Sequence, residues 1–345
     1  MKQIQNKFGI GAIYSQEDFV GTVYVLCCAC MSVYSDFLSW ANKFPERISK
    51  TPEDANELIV LGCQVTDLAV LNDLKNAENL YAKYNKPIYV GGCLAQRLDV
   101  DLPPYMRRLD VVREVNFPIV KKDLVNYAKP FWVNNFKEND NNLSDGNIFR
   151  NMYPLHIGAG CTFGCKYCTI RFTRGENYEL NAEDQLQEFL NNENVVLISD
   201  SPTKKQISDW CIIAIEYNKE ISIRNIEPRI TMETSEELLS AAKAGVLKIL
   251  HSPIQSCSSF IINKMGRNSY LTNDFLSFAK ELRSMGVIVA TNIIIDYEID
   301  GVIYPNHDKE LMNSLFDYYS WNPYWDGVWN RERAEKRFEK YIGGN

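Results

Sequence analysis

Three cysteines, Cys161, Cys165 and Cys168, stand close together in the run His156–Gly175 (HIGAGCTFGCKYCTIRFTRG). Three thiolates on one tight loop can each hold one iron of a cubane [4Fe–4S] cluster and leave the fourth iron open to another ligand. Gly158, Gly160 and Gly164 let the backbone wrap closely around an inorganic core. Tyr167 precedes the third cysteine and offers an aromatic face that can pack beside a nucleoside. The competing reading is structural zinc. Such zinc takes four ligands, and no fourth Cys or His lies nearby unless His156 swings back.

Three more cysteines each follow an apolar run: Cys30 in VYVLCCACMSVYSD, Cys63 in ELIVLGCQV and Cys93 in PIYVGGCLAQR. Val23–Cys27, Leu58–Leu61 and Pro87–Val90 read as buried strands, with helices over Ser35–Lys43 and Asp67–Tyr84 between them. In a parallel α/β domain the strand ends gather on one edge, so these thiols can converge there and hold a second cluster. One such cysteine alone would read as a small buried residue. Cys27 and Cys28 crowd Cys30, and Cys28 is a rival for its place.

The second half repeats the alternation. Strands are expected at Tyr153–Ile157, Val195–Ser199, Ser222–Asn225, Val246–Leu250 and Val287–Ile295. Helices are expected at Asn181–Asn191, Thr203–Tyr217, Ser235–Ala244 and Asn273–Met285. Repeated βα units suit a full or partial barrel, whose active site lies at the C-terminal strand ends. The fold class is α/β: an N-terminal parallel, Rossmann-like domain over 1–133, a polar linker over 134–148, a partial (βα) barrel over 149–325, and a helical tail over 326–345.

Composition sets the outer limits. The chain has 345 residues, 46% of them hydrophobic and 23% charged, which suits folded domains with their own cores. The 37 basic residues against 44 acidic ones leave no overall excess for binding phosphates. No targeting segment is evident, and Val23–Val33 is too short to span a bilayer. A cytoplasmic, non-membrane protein is expected, in which ten cysteines point to metal or catalysis before disulfides.

The triplet with its following βα units resembles the radical-SAM superfamily. With the amino-terminal motifs added, most of the chain resembles the methylthiotransferase family within it. Val23–Asp36 is similar to that family's first strand and cysteine loop, Cys63 with Val65 to its second motif, and Gly92–Arg97 (GCLAQR) to its third. Thr173-Arg174-Gly175, Ile226-Glu227-Pro228, His251–Ser256 (HSPIQS) and Met265-Gly266-Arg267 resemble its later motifs.

The resemblance implies two [4Fe–4S] clusters, one on Cys161, Cys165 and Cys168 and an auxiliary one on Cys30, Cys63 and Cys93. It implies S-adenosylmethionine held by Tyr167, Arg174, Ser199, Glu227, Gln255 and Arg267. The chemistry implied is reductive cleavage to a 5′-deoxyadenosyl radical and insertion of sulfur, as methylthio, into an inert C–H bond. An electron donor of the flavodoxin or ferredoxin kind goes with it.

The sequence also departs from the family. Val33 stands where Asn is usual, Gly62 where Thr is usual, Ser199-Asp200 where Gly-Gln is common, and Cys257 where a Gly is usual. The family's Gly-Phe-Pro-Gly-Glu run is replaced by Ile295–Asp300. The stretch from Gly301 to Asn345 must also finish the barrel, which leaves no room for the RNA-binding TRAM domain that most members carry. These features point to a peptide or protein substrate ahead of tRNA. Arg107, Arg108, Arg171 and Arg174 are candidate phosphate contacts for the tRNA reading. A radical-SAM enzyme without sulfur insertion, or a cluster-binding protein without turnover, is the remaining alternative.

Overall fold

Fully buried apolar strands and long capped helices set the architecture. The computed structural model describes residues 21–109, 119–128, 148–149, 151–175, 177–268, 270–306 and 308–342. The linker expected over 134–148 falls outside them, save for residue 148. The chain divides into two compact units, one of 1–135, 169–175 and 325–345 and the other of 136–168 and 176–324.

The first unit is built on β1 (Val23–Cys27), β2 (Glu57–Gly62), β3 (Ile88–Gly92), β4 (Met106–Arg108) and β5 (Asn126–Tyr127). They form one parallel sheet in the order β4-β3-β2-β1-β5. Every residue of β2 and β3 is buried, as expected of parallel strands covered on both faces. Helix α1 (Met31–Lys43) follows β1, and α2 (Asp67–Tyr84) follows β2. Thr66 caps α2 by accepting from the Ala69 amide, and left-handed Asn85 (φ 49°) ends it. The register pairs Cys27 with Leu61 and Gly62 with Gly92, so the strands end level.

Two segments distant in sequence join this unit: the short helix α3 (Ile170–Arg174) and the stretch from Trp325 through the helix Arg331–Ile342. Trp325 packs in the same apolar cluster as Cys28, Leu58, Leu74 and Leu94.

The second unit has a six-stranded parallel sheet. Its members are β6 (Tyr153–His156), β9 (Val195–Ile198), β10 (Ile221–Ile223), β11 (Leu247–His251), β12 (Ile288–Ile295) and β15 (Tyr318–Pro323). The order is β15-β12-β11-β10-β9-β6. This is the open βα barrel expected from the alternation. Two small antiparallel pairs decorate it: β7 (Gly158–Ala159) with β8 (Tyr178–Glu179), and β13 (Tyr297–Ile299) with β14 (Val302–Tyr304). The second pair occupies the place of the missing Gly-Phe-Pro-Gly-Glu run, and Asp300 and Gly301 make its turn with φ of 51° and 80°.

Candidate functional site

The triplet loop leaves β7 and is fixed by backbone bonds. Cys168 N donates to Cys165 O at 3.2 Å, and Lys166 N to Met265 O at 3.0 Å. Asp200 receives the Gly160 amide at 2.9 Å, so the unusual Ser199-Asp200 pair anchors the loop's entry. Burial pushes the Cys161 thiol up, against the hydrogen bonds from the Phe163 amide and Ser201 that lower it. Ser199 is buried, and its hydroxyl accepts from the Ser201 amide at 3.3 Å.

Arg267 is the centre of the pocket beside the triplet. Its Nε lies 3.5 Å from Cys165 Sγ, and its Nη1 donates to Pro253 O at 2.6 Å. Its guanidinium lies over the Tyr167 ring at 5.8 Å, and Glu227 Oε1 is 3.8 Å from its Nε. Burial alone would lower the basicity of Arg267, but Tyr167, Cys165 and Glu227 together raise it. Glu227 is the N-cap of the helix Pro228–Glu233, and its Oε2 accepts from Arg229 N at 2.7 Å. A cavity of about 190 Å³ opens between Phe163, Cys165, Glu227, Ile254 and Arg267. Gln255 sits in left-handed backbone (φ 68°), a strained conformation for a residue with a side chain. Its carbonyl accepts from Ile294 N and Asn306 Nδ2, which fix that bend beside the cavity.

The structure thus gathers Tyr167, Glu227 and Arg267 around Cys165, places Gln255 two residues from the Pro253 carbonyl, and keeps Ser199 on the Cys161 side. Arg174 belongs to the other unit. There it makes a 2.6 Å ion pair with Asp36, both side chains 2% exposed. Tyr297 escaped the sequence reading. Burial, then Tyr324 and then Cys165, pushes its hydroxyl up to about 12. Only its place within the altered run Ile295–Asp300 could have flagged it.

In the first unit the cysteines sit at the C-terminal strand ends. Cys63 directly follows β2, Cys93 directly follows β3, and Cys30 is the N-cap of α1. Burial pushes the Cys63 thiol well up, and Cys30, Asp73 and Cys93 push it further, so three of these thiols lie within electrostatic reach. Cys28 faces the core instead, where Asn76 Nδ2 donates to its sulfur at 3.4 Å. The Cys63 amide donates to the buried Asp73 Oδ2 at 2.6 Å. Gln64 Nε2 donates to Thr173 Oγ1 at 2.9 Å.

Among the described residues no group of three His, Cys, Asp or Glu closes tightly enough to hold a single metal ion. A cubane spreads its thiolates over separate corners, and sulfur-only donor sets on a tight loop suit it. Arg108 is engaged by the Leu94, Ala95 and Val100 carbonyls. With Arg174 on Asp36, two of the four candidate phosphate contacts are committed inside the fold.

Residues 155–300 match the radical SAM superfamily model. The chain carries a radical SAM domain. It is homologous to methylthiotransferases over most of its length. It is 25% identical over 303 residues to the ribosomal protein uS12 methylthiotransferase RimO of Clostridium botulinum, covering 79% of this chain and 67% of the relative. It is 23% identical to the tRNA-2-methylthio-N(6)-dimethylallyladenosine synthase of Pelagibacter ubique, covering 75% of this chain and 63% of the relative. A solved radical S-adenosylmethionine methyltransferase, TsrM of Kitasatospora setae, aligns at TM-score 0.45 and 8% identity over 80% of this chain and 68% of that one. Proteins of the radical SAM superfamily use S-adenosylmethionine and a [4Fe–4S] cluster. Among the described residues no helix is long and apolar enough to cross a membrane.

Proposed function

We propose that this chain is a radical-SAM methylthiotransferase that places a methylthio group on an unactivated carbon of a peptide or protein side chain. The observation that carries the reading is that Cys63 and Cys93 directly follow the level ends of β2 and β3, while Cys30 lies on the turn from β1 into α1. Cleaving S-adenosylmethionine needs only Cys161, Cys165 and Cys168. A second set of thiols serves a reaction that also needs a held sulfur.

Cys161, Cys165 and Cys168 would hold the radical cluster, and Cys30, Cys63 and Cys93 the auxiliary one. When bound, the two clusters supply the electron for cleaving S-adenosylmethionine and the sulfur for insertion. The protein's part is to orient and exclude. Arg267 clamps the Pro253 carbonyl, faces the Cys165 sulfur and lies over the Tyr167 ring, while Phe163 and Ile254 wall the cavity. Ser199 follows β9 and Gln255 follows β11 in the same unit, and both would complete the cofactor side. Arg174 contributes through Asp36 on α1, the helix that Cys30 caps. An external one-electron donor of the flavodoxin or ferredoxin kind completes the system.

A protein substrate is supported by the relatives named for ribosomal protein uS12, by the acidic balance, and by the engagement of Arg108 and Arg174. The relative named for tRNA supports a second reading, in which exposed Arg107 and Arg171 meet an anticodon loop.

The test is a product assay. The reduced, reconstituted protein should form 5′-deoxyadenosine with S-adenosylmethionine, and Cys165→Ala should form none. Cys93→Ala should still form it but transfer no methylthio group. Mass spectrometry of bulk protein and of tRNA identifies the acceptor. A methylthio product on tRNA alone selects the second reading, and undiminished transfer by Cys93→Ala removes the auxiliary set from the chemistry.

A further inference from the structure

We infer that the segment Trp325–Ile342 is a positioning element for the auxiliary site, holding the Cys63 and Cys93 loops through Arg337 and Trp325. The inference rests on the auxiliary-cluster reading above. The segment follows the barrel in sequence, yet it belongs to the first unit. Its two ends reach two different cysteine loops.

At the Cys93 loop, the contact runs through Arg97, four residues beyond the cysteine. Arg97 is 1% exposed, and its Nε and Nη2 donate to Asp99 at 2.7 and 2.5 Å. The same Nη2 donates to Gly327 O at 2.9 Å, and the guanidinium stacks over the Trp325 ring at 4.5 Å. Trp325 itself is 6% exposed and packs in the cluster that contains Leu94, the neighbour of Cys93. Its indole Nε1 donates to Val328 O at 3.0 Å, which locks the ring. A buried guanidinium between a carboxylate, a carbonyl and an indole face has one orientation, and it fixes the backbone that carries it.

At the Cys63 loop, the contact runs through Asp67, four residues beyond that cysteine. Arg337 Nε lies 2.9 Å from Asp67 Oδ2, and Asp67 is fully buried. Asp67 opens α2, whose N-cap Thr66 closes the Cys63 loop. Elsewhere along the helix, Arg331 pairs with Glu78 at 2.7 and 3.0 Å, and Lys75 lies 4.9 Å over the Phe338 ring. These two contacts dock the helix on α2 without touching either cysteine loop.

The placement parallels the support that holds ligands at metal sites, where loss of a supporting partner weakens metal retention about 10- to 100-fold. Arg97 and Asp67 act here through the loop backbone, each four residues beyond a cysteine, so the low end of that range applies, and the segment sets both.

The test uses the full chain with Cys161, Cys165 and Cys168 all replaced by alanine, so that only the auxiliary cluster contributes. Iron retention against a chelator, the electron paramagnetic resonance spectrum and the midpoint potential are measured. Trp325→Ala and Arg337→Gln should each lose iron about tenfold faster and shift the spectrum and potential. Trp325→Phe should restore both, because it keeps an aromatic face for Arg97. Arg331→Gln should leave them unchanged, which separates positioning from general loosening of the helix. Loaded parent protein with all variants indistinguishable would overturn the inference alone. A parent that takes up no iron would overturn the auxiliary-cluster reading and the inference with it.

Discussion

A guanidinium that donates to a cysteine sulfur changes the free energy of adding an electron to the metal held by that sulfur. Arg267 is placed to do this at Cys165, with its Nε 3.5 Å from the sulfur. The shift is set by how much more strongly the donor holds the reduced state than the oxidised one, and a difference of about 1.4 kcal/mol is about 60 mV for one electron. The donor stabilises the more electron-rich reduced form. Arg267→Gln should therefore move the radical cluster's midpoint potential about 60 mV more negative. An unchanged potential in a spectroscopic titration would count against the contact. Arg174, one of the expected cofactor residues, is also judged at this scale. Its pairing with Asp36 at 2% exposure makes it a buried ion pair, which Arg174→Ala breaks. A loss of about 3–5 kcal/mol in a urea melt is expected, most of it recovered when Asp36→Leu is added. The motif Thr173-Arg174-Gly175 was visible in the sequence, but its partner lies 138 residues away, a pairing only the fold reveals.

At the scale of elements, two departures from the family have a shared explanation. A Cβ on Gly62 would meet Leu94 Cδ2 at 2.6 Å and Leu94 Cβ at 2.8 Å, with Asp73 Oδ2 at 3.2 Å. Leu94 fills the space in which the family's usual Thr would sit. A Cβ on Gly92 would meet Gly62 O at 2.7 Å and Val33 Cγ1 at 3.1 Å, so Val33 packs against the same strand-end layer. Gly62→Ala should destabilise the protein by about 1–3 kcal/mol, as overpacking does. It should cost less in a Leu94→Ala background, and additive losses in paired urea melts would show that the two sites do not share this space. Long capped elements were legible in advance: α2 runs over Asp67–Tyr84 as its N-cap and apolar spacing require, and β1 spans Val23–Cys27. Short elements were not. The helix Ile170–Arg174 and the pair β13–β14 depend on tertiary partners, and their sequences carry too few residues for a period to show.

For the whole molecule, the order of the chain hides how it is grouped. The alternation of strands and helices announced two α/β units, and both are parallel sheets. The return of Thr169–Gly175 and Trp325–Asn345 to the first unit was not legible. Those returns are held by contacts far apart in sequence, among them Arg174 on Asp36, Trp325 on Arg97 and Arg337 on Asp67. The helical pattern of the tail told the conformation of Arg331–Ile342 but not its docking site. The likeness to methylthiotransferases extends over both units, as two sets of three cysteines in one chain suggested.

The central claim is that both cysteine sets hold clusters. Iron and labile sulfide per chain, measured after anaerobic reconstitution of the wild type and of a Cys30/Cys63/Cys93 triple alanine variant, test it most directly. The account predicts about eight irons falling to about four. About four irons in both proteins would contradict it, leaving a radical cluster alone and a simpler radical-SAM reaction.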